Sequence, residues 1–174
     1  MAAIRESQVN IYIVDDDEMQ LKILKNKFSS CSGYKIYTYL NGKDFLADFT
    51  KLPYFKRQIY IVIFDYLLNS GVERENGIEI MKRLKQTNNN ADYIILSGVD
   101  DADIASLAIK SGAVAYIKKN ENSYLRIQNQ VKYIISQRTL DRSRKHNRFA
   151  RSFFIIAIFA LIAFGLLVIF SDIL

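Results

Sequence analysis

Two apolar runs in this chain break off in acid. Val9–Val14 runs into Asp15, Asp16 and Asp17, and Ile59–Phe64 runs into Asp65. If both runs are parallel strands of one sheet, their carboxyl ends lie side by side and their carboxylates crowd one crevice. Like charges at that spacing repel, so the cluster calls for a cation. Oxygen-only ligands at this charge density suit Mg²⁺ or Ca²⁺ rather than zinc. One aspartate suffices to cap a following helix, so three in a row favour a cation site over a cap alone. The single histidine, His146, lies in a basic stretch, which does not fit a histidine-based metal site or a Ser-His-Asp triad. The single cysteine, Cys31, rules out an intramolecular disulfide and fits a reducing compartment.

These acids need elements to hold them. Val9–Val14 is short, apolar and rich in β-branched residues, which predicts a strand. Glu18–Phe28 carries a helical stripe of Met19, Leu21, Ile23, Leu24 and Phe28. Tyr34–Leu40 reads as a second strand, polar enough for a sheet edge, and Asn41–Phe49 as a helix. Ile59–Phe64 is continuously apolar, as a central parallel strand is when helices cover both faces. A helix over Ile78–Leu84, a strand over Tyr93–Leu96, a helix over Asp101–Ser111 capped by Asp101, and a strand over Val114–Ile117 follow. Tyr124–Gln137 is a last amphipathic helix. This (βα)₅ alternation predicts an α/β fold, a doubly wound parallel sheet. Such folds bind ligands beyond the carboxyl ends of their strands, where Asp16 and Asp65 fall.

Two further strand ends bear on the chemistry. Strand four ends in Ser97-Gly98 and strand five in Lys118-Lys119. One crevice would then hold paired acids, a lone acid, a hydroxyl and an ammonium. With Val14-Asp15-Asp16, Asp65 after IYIVIF, Ser97-Gly98 and GAVAYIKK at Gly112–Lys119, the sequence resembles the receiver domain of two-component response regulators over roughly residues 8–138. The resemblance implies a flavodoxin-like strand order of 2-1-3-4-5. It implies that Asp65 is the phosphoacceptor, taking a phosphoryl group from a histidine kinase or phosphotransfer protein. It implies Mg²⁺ held directly by Asp16 and Asp65, through water by Asp15, and by the Leu67 carbonyl. Ser97 matches the hydroxyl that bonds a phosphoryl oxygen. Lys119, seven positions on from Gly112, matches the lysine that pairs with Asp65 and then with the phosphate. Tyr116 matches the aromatic switch position.

The chain departs from that family's pattern in three places. Asn120 stands where a proline usually follows the lysine, so the Lys119–Asn120 peptide is expected trans and the loop looser. The loop after Asp65 lacks the usual Met-Pro and is longer before Asn76-Gly77. Leu67 and Val99, two positions beyond Asp65 and Ser97, have no group to orient an attacking water, which predicts slow self-dephosphorylation.

The net charge of +6 is unevenly placed. Arg142, Arg144, Lys145, Arg148 and Arg151 crowd the stretch before an apolar run, so the basic balance is not a nucleic-acid footprint. Phe153–Phe170 has no polar side chain and is eighteen residues long. As a helix it would span ~27 Å, close to a bilayer's hydrocarbon core. The expected organisation is a receiver at 8–138, a basic juxtamembrane linker at 139–151 and a transmembrane helix at 152–171. The basic flank places the receiver in the cytoplasm, on the inner (cytoplasmic) membrane, as a single-pass protein. The absence of Gly and Pro between Gly112 and Gly165 allows the last receiver helix to run into the membrane helix; a frayed tether is equally allowed. Without a GxxxG motif, homodimerisation through the span is allowed but not indicated.

The favoured function is a membrane-anchored single-domain response regulator, a phosphoacceptor module rather than a turnover enzyme, acting on an unknown downstream protein. The alternative is a degenerate receiver serving as a membrane-bound interaction scaffold without phosphorylation. An aspartate-nucleophile phosphatase ranks last, because Leu67 stands where such enzymes need a second aspartate.

Overall fold

The β-branched and aromatic runs form strands because each can be buried on both faces by helices. The computed structural model describes residues 4–53, 55, 57–68, 76–87, 90–144, 154 and 158. After a 3-10 turn at Glu6–Gln8, the order is β1 (Val9–Val14), α1 (Glu18–Cys31), β2 (Lys35–Tyr39), α2 (Gly42–Phe49), β3 (Ile59–Asp65), α3 (Gly77–Gln86), β4 (Asp92–Ser97), α4 (Ala102–Lys110) and β5 (Ala115–Lys118). Helix α5 covers residues 123–144.

All strands are parallel, in the order β2-β1-β3-β4-β5. The expected α/β fold and its strand order are therefore present. Every residue of β1 and β3 is buried, as their unbroken apolar sequences require. The half-exposed β2 lies at an edge.

Strand alternation sorts the core into two layers. Tyr12, Val14, Tyr60, Val62, Phe64, Tyr93 and Ile95 face α2, α3 and α4, meeting Phe45, Phe49, Ile78, Met81, Leu84 and Ala108. The intervening residues, including Ile11, Ile13, Ile61, Ile63, Ile94 and Ile117, face α1 and α5 through Leu21, Leu24, Phe28, Ile127, Val131 and Ile134. Each such side chain contributes roughly 1.5–3 kcal/mol of burial. This apolar body holds the strand ends in register.

The helices start where short polar side chains can accept their first free amides. Asp17 accepts from the Met19 and Gln20 amides, Asn41 from Asp44, and Asp101 from Asp103 and Ile104. Asn76 and Glu79 form a reciprocal capping box at α3. Asp101 thus caps α4 as expected, and Asp17 is the member of the acidic triplet that caps α1.

Two helices are longer than the apolar stripes predict. Helix α1 continues through Ser29, Ser30 and Cys31, and α5 continues through the polar stretch to residue 144. The compact receiver-like unit spans Ile4–Ile135, and residues from Ser136 onward form a second unit. In that second unit residues 136–144, Phe154 and Ile158 are helical. No helix among the described residues is long and apolar enough to cross a membrane. Apart from Phe154 and Ile158, the expected transmembrane segment 152–171 lies outside the described residues, as do residues 145–151 of the expected linker.

Candidate functional site

The parallel register brings four strand ends to one rim. Asp15 follows β1, Asp65 closes β3, Ser97 closes β4, and Lys119 follows β5. Backbone bonds fix their heights. The Tyr66 amide donates to the Leu96 carbonyl at 2.7 Å, and the Lys119 amide donates to the Ser97 carbonyl at 2.7 Å.

The side chains converge as the sequence suggests, and more tightly. Lys119 Nζ lies 2.8 Å from Asp65 Oδ2 and also 2.8 Å from Asp15 Oδ2. Asp15 is 1 % exposed and Asp65 7 %. Buried carboxylates need a counter-charge, and one ammonium bridges both. Asp15 Oδ1 is also used, accepting from the Asp17 amide at 3.0 Å. Asp16, exposed on the rim, completes the group: one oxygen from each of Asp15, Asp16 and Asp65 lies within 4.8 Å of the others. Three carboxylates at that spacing, with no nitrogen or sulfur donor among them, fit a hard divalent cation.

Electrostatics follow from this crowding. Burial raises the Asp65 carboxyl above its ordinary range; the Lys119 hydrogen bond opposes this, and the charges of Asp15 and Asp16 add to it. Burial alone would depress Lys119, but its hydrogen bonds to Asp15 and Asp65 prevail and raise it. Lys119 therefore stays charged, and ionised Asp65 is held at a cost that a cation would relieve.

Ser97 is fully buried at the rim, and its Oγ accepts from the Val99 amide at 3.0 Å. Tyr116 leaves β5 half-buried and donates its hydroxyl to the Val99 carbonyl at 2.8 Å. Leu67 is half exposed and lies opposite Asn76 in an antiparallel bridge. The flanking bond runs from the Gly77 amide to the Tyr66 carbonyl at 3.0 Å. That is the pattern of a non-hydrogen-bonded pair, so the Leu67 carbonyl is not spent on Asn76. Among the described residues, this carbonyl has no bond to Asn76.

The Lys119–Asn120 peptide is trans, as expected. Asn120 is held by two local hydrogen bonds. Its Oδ1 accepts the Asn122 amide at 3.1 Å and its carbonyl accepts the Ser123 amide at 3.0 Å, an Asx turn in place of the proline. Val99 is 40 % exposed and brings no polar group to the rim.

Three contacts escaped the sequence reading. Lys119 pairs with Asp15 as well as Asp65, although 104 positions separate them. Lys118, next to Lys119, binds Asp100. Gly77 packs against the Asp65 backbone, where a β-carbon would collide with the Asp65 carbonyl oxygen and Phe64. Only the Asn76-Gly77 pair gave a sequence signal, as a helix start.

Residues 11–129 match the response regulator receiver domain, and the chain belongs to that family. Among curated proteins it is 27 % identical over 107 residues to the sporulation initiation phosphotransferase F of Bacillus subtilis, covering 62 % of this chain and 79 % of that protein. It is 25 % identical over 111 residues to the transcriptional regulatory protein MalR of the same organism, covering 64 % of this chain. The match spans less than half, 44 %, of the length of MalR. Among solved structures, the receiver domain of the Francisella response regulator 1452 superposes with a TM-score of 0.63 at 23 % identity, covering 74 % of this chain and 97 % of that one. That likeness supports the fold.

Proposed function

We propose that this protein is a membrane-anchored receiver that accepts a phosphoryl group on Asp65 from the phosphohistidine of a histidine kinase or phosphotransfer protein. The observation that carries the proposal is Lys119, bridging Asp65 and Asp15 at 2.8 Å beside a three-carboxylate cluster. An Asp65 oxygen attacks phosphorus, a P–O bond forms, the P–N bond to imidazole breaks, and the imidazole takes up a proton. Lys119 neutralises charge on the transferring oxygens. Asp15, Asp16, Asp65 and the Leu67 carbonyl are the residues that would hold Mg²⁺. When bound, Mg²⁺ supplies further charge neutralisation at those oxygens. The small Gly98 leaves room beside Ser97, whose hydroxyl donates to a phosphoryl oxygen. Tyr116 then follows the loop, and a surface near it meets an unidentified downstream protein. The module is a switch, not a turnover enzyme. A second copy of the chain is an allowed partner.

Apolar Leu67 and Val99 leave an attacking water without a polar guide, so the acyl phosphate is long-lived. The apolar run at 153–170 and the cations before it support a single pass through the cytoplasmic membrane, with the receiver in the cytoplasm. Anchoring confines the receiver to the surface where a membrane kinase works.

The test is to load membranes carrying the full chain with acetyl phosphate and Mg²⁺, then follow phosphate loss after donor removal. The expected outcome is a phosphate kept for minutes or longer at neutral pH and, in a separate sample, a protein that stays with the membrane through an alkaline wash. Loss within seconds would overturn the predicted persistence. Release of the protein by the wash would overturn the anchor. A chain that takes no phosphate would return the reading to a scaffold.

A further inference from the structure

Lys118, the last residue of β5, and Lys119, just beyond it, serve different carboxylates. Lys119 enters the acidic crevice. Lys118 Nζ instead donates to Asp100 Oδ2 at 2.7 Å. Asp100 lies in the loop between β4 and α4, three positions beyond Ser97. The same loop is tied to β5 by the Tyr116 hydroxyl on the Val99 carbonyl at 2.8 Å. Inside the loop, the Val99 amide donates to Ser97 Oγ at 3.0 Å.

These bonds couple three events. If Ser97 turns toward a group on Asp65, the Val99 amide must follow or lose its acceptor. If Val99 moves, the Tyr116 hydroxyl loses or shifts its own. Asp100, next in sequence, carries the loop's charged attachment to β5. We infer that the Lys118–Asp100 pair is a latch on the β4–α4 loop, and that these two are positioning residues for Ser97 and Tyr116. Neither touches the reacting atoms. The inference deepens the function proposed above and rests on it for the role of Ser97.

The side chains of Lys118 and Asp100 are 41 % and 77 % exposed, so solvent and salt weaken the pair. A weak pair suits a latch. It biases the loop toward the arrangement seen here without locking it, and the phosphoryl group needs only a modest differential affinity to move it.

The test uses the full chain in detergent micelles, unphosphorylated and metal-free, with 3-fluorotyrosine at position 116 read by ¹⁹F NMR. Asp100→Asn and Lys118→Gln should each shift the ratio of Tyr116 environments in the same direction, by about two- to fivefold. The double variant should show no more than either single one, and the swap of Asp100→Lys with Lys118→Asp should restore the original ratio. A Tyr116 signal indifferent to both substitutions, or effects that simply add in the double variant, would overturn the latch. Phosphate uptake from acetyl phosphate with Mg²⁺ is read on the same samples. A shifted ¹⁹F ratio without uptake would leave the latch standing and remove the acceptor reading instead.

Discussion

The bodies of β1 and β3 and their carboxyl ends are built for opposite purposes. From Val9 to Val14 and from Ile59 to Phe64 every residue is buried, and nearly all are apolar. One residue further, at Asp15 and Asp65, the chain buries charge. The body gains stability from burial. The ends give some of it up, because a carboxylate withdrawn from water beside another carboxylate is held against desolvation and repulsion. Lys119 offsets part of that cost by bridging the two. A cluster that remains costly to ionise is one poised for a cation and for chemistry.

The contrast is sharpest under substitution in the body. Ile61, wholly buried in β3, should lose about 2–5 kcal/mol of stability on Ile61→Ala, read by urea unfolding. Opposite behaviour is expected at the ends when Mg²⁺ is added. At a hundredfold excess over its dissociation constant, the cation should stabilise the chain by about 2.7 kcal/mol. Asp16→Ala should remove most of that gain while leaving the metal-free protein folded. A stabilisation that survives Asp16→Ala would break the assignment of the cluster.

A smaller effect comes from Asp65 itself. With chelator present, Asp65→Asn should raise Tm at neutral pH, because the ionised carboxylate is disfavoured in the fold. Its carboxyl is raised above the ordinary 3.8, so the contribution of Asp65 to stability is present below that value and lost as pH rises through the folded pKa. The advantage of Asp65→Asn should therefore be small in acid and grow as pH climbs out of the ordinary carboxylate range. Lys119 gives a complementary window. Its raised pKa means that its contribution is complete below the ordinary 10.5 and disappears only as pH rises through the folded value. Alkaline titration of Lys119→Met against the parent chain checks this.

Where the body meets the end, the test is Gly77→Ala. A β-carbon there meets the Asp65 carbonyl and Phe64. The collision should cost about 1–3 kcal/mol of stability, because backbone and the buried Phe64 must shift, and should also slow phosphate uptake by displacing Asp65. Equal uptake by both proteins would show that the approach of α3 does not position Asp65.

Much of this contrast was legible in the residues. An all-apolar run such as IYIVIF fixes a central strand, and the polar Tyr34–Leu40 suits the edge that β2 occupies. The acids, hydroxyl and lysine at the strand ends could be placed on one rim because parallel strands share a direction. Local patterns could not supply the pairings across that rim. The bridge from Lys119 to Asp15 joins residues 104 positions apart, and neither sequence neighbourhood marks it. The Lys118–Asp100 pair was hidden for a related reason: the target depends on a loop's path. The extension of α5 to residue 144 was allowed by the absence of Gly and Pro but not decided, because Arg138–Arg144 lacks an apolar stripe. Asn120 conceals an Asx turn, its side chain accepting the Asn122 amide.

The central claim is that Asp65, alone among the crowded carboxylates, takes the phosphoryl group. Peptide-level mass spectrometry after acetyl phosphate and Mg²⁺ treatment tests it most directly. The account predicts one phosphoryl group, located on Asp65 and absent from Asp65→Asn. A phosphoryl group on Asp15 or Asp16, or an equal yield from Asp65→Asn, would contradict it.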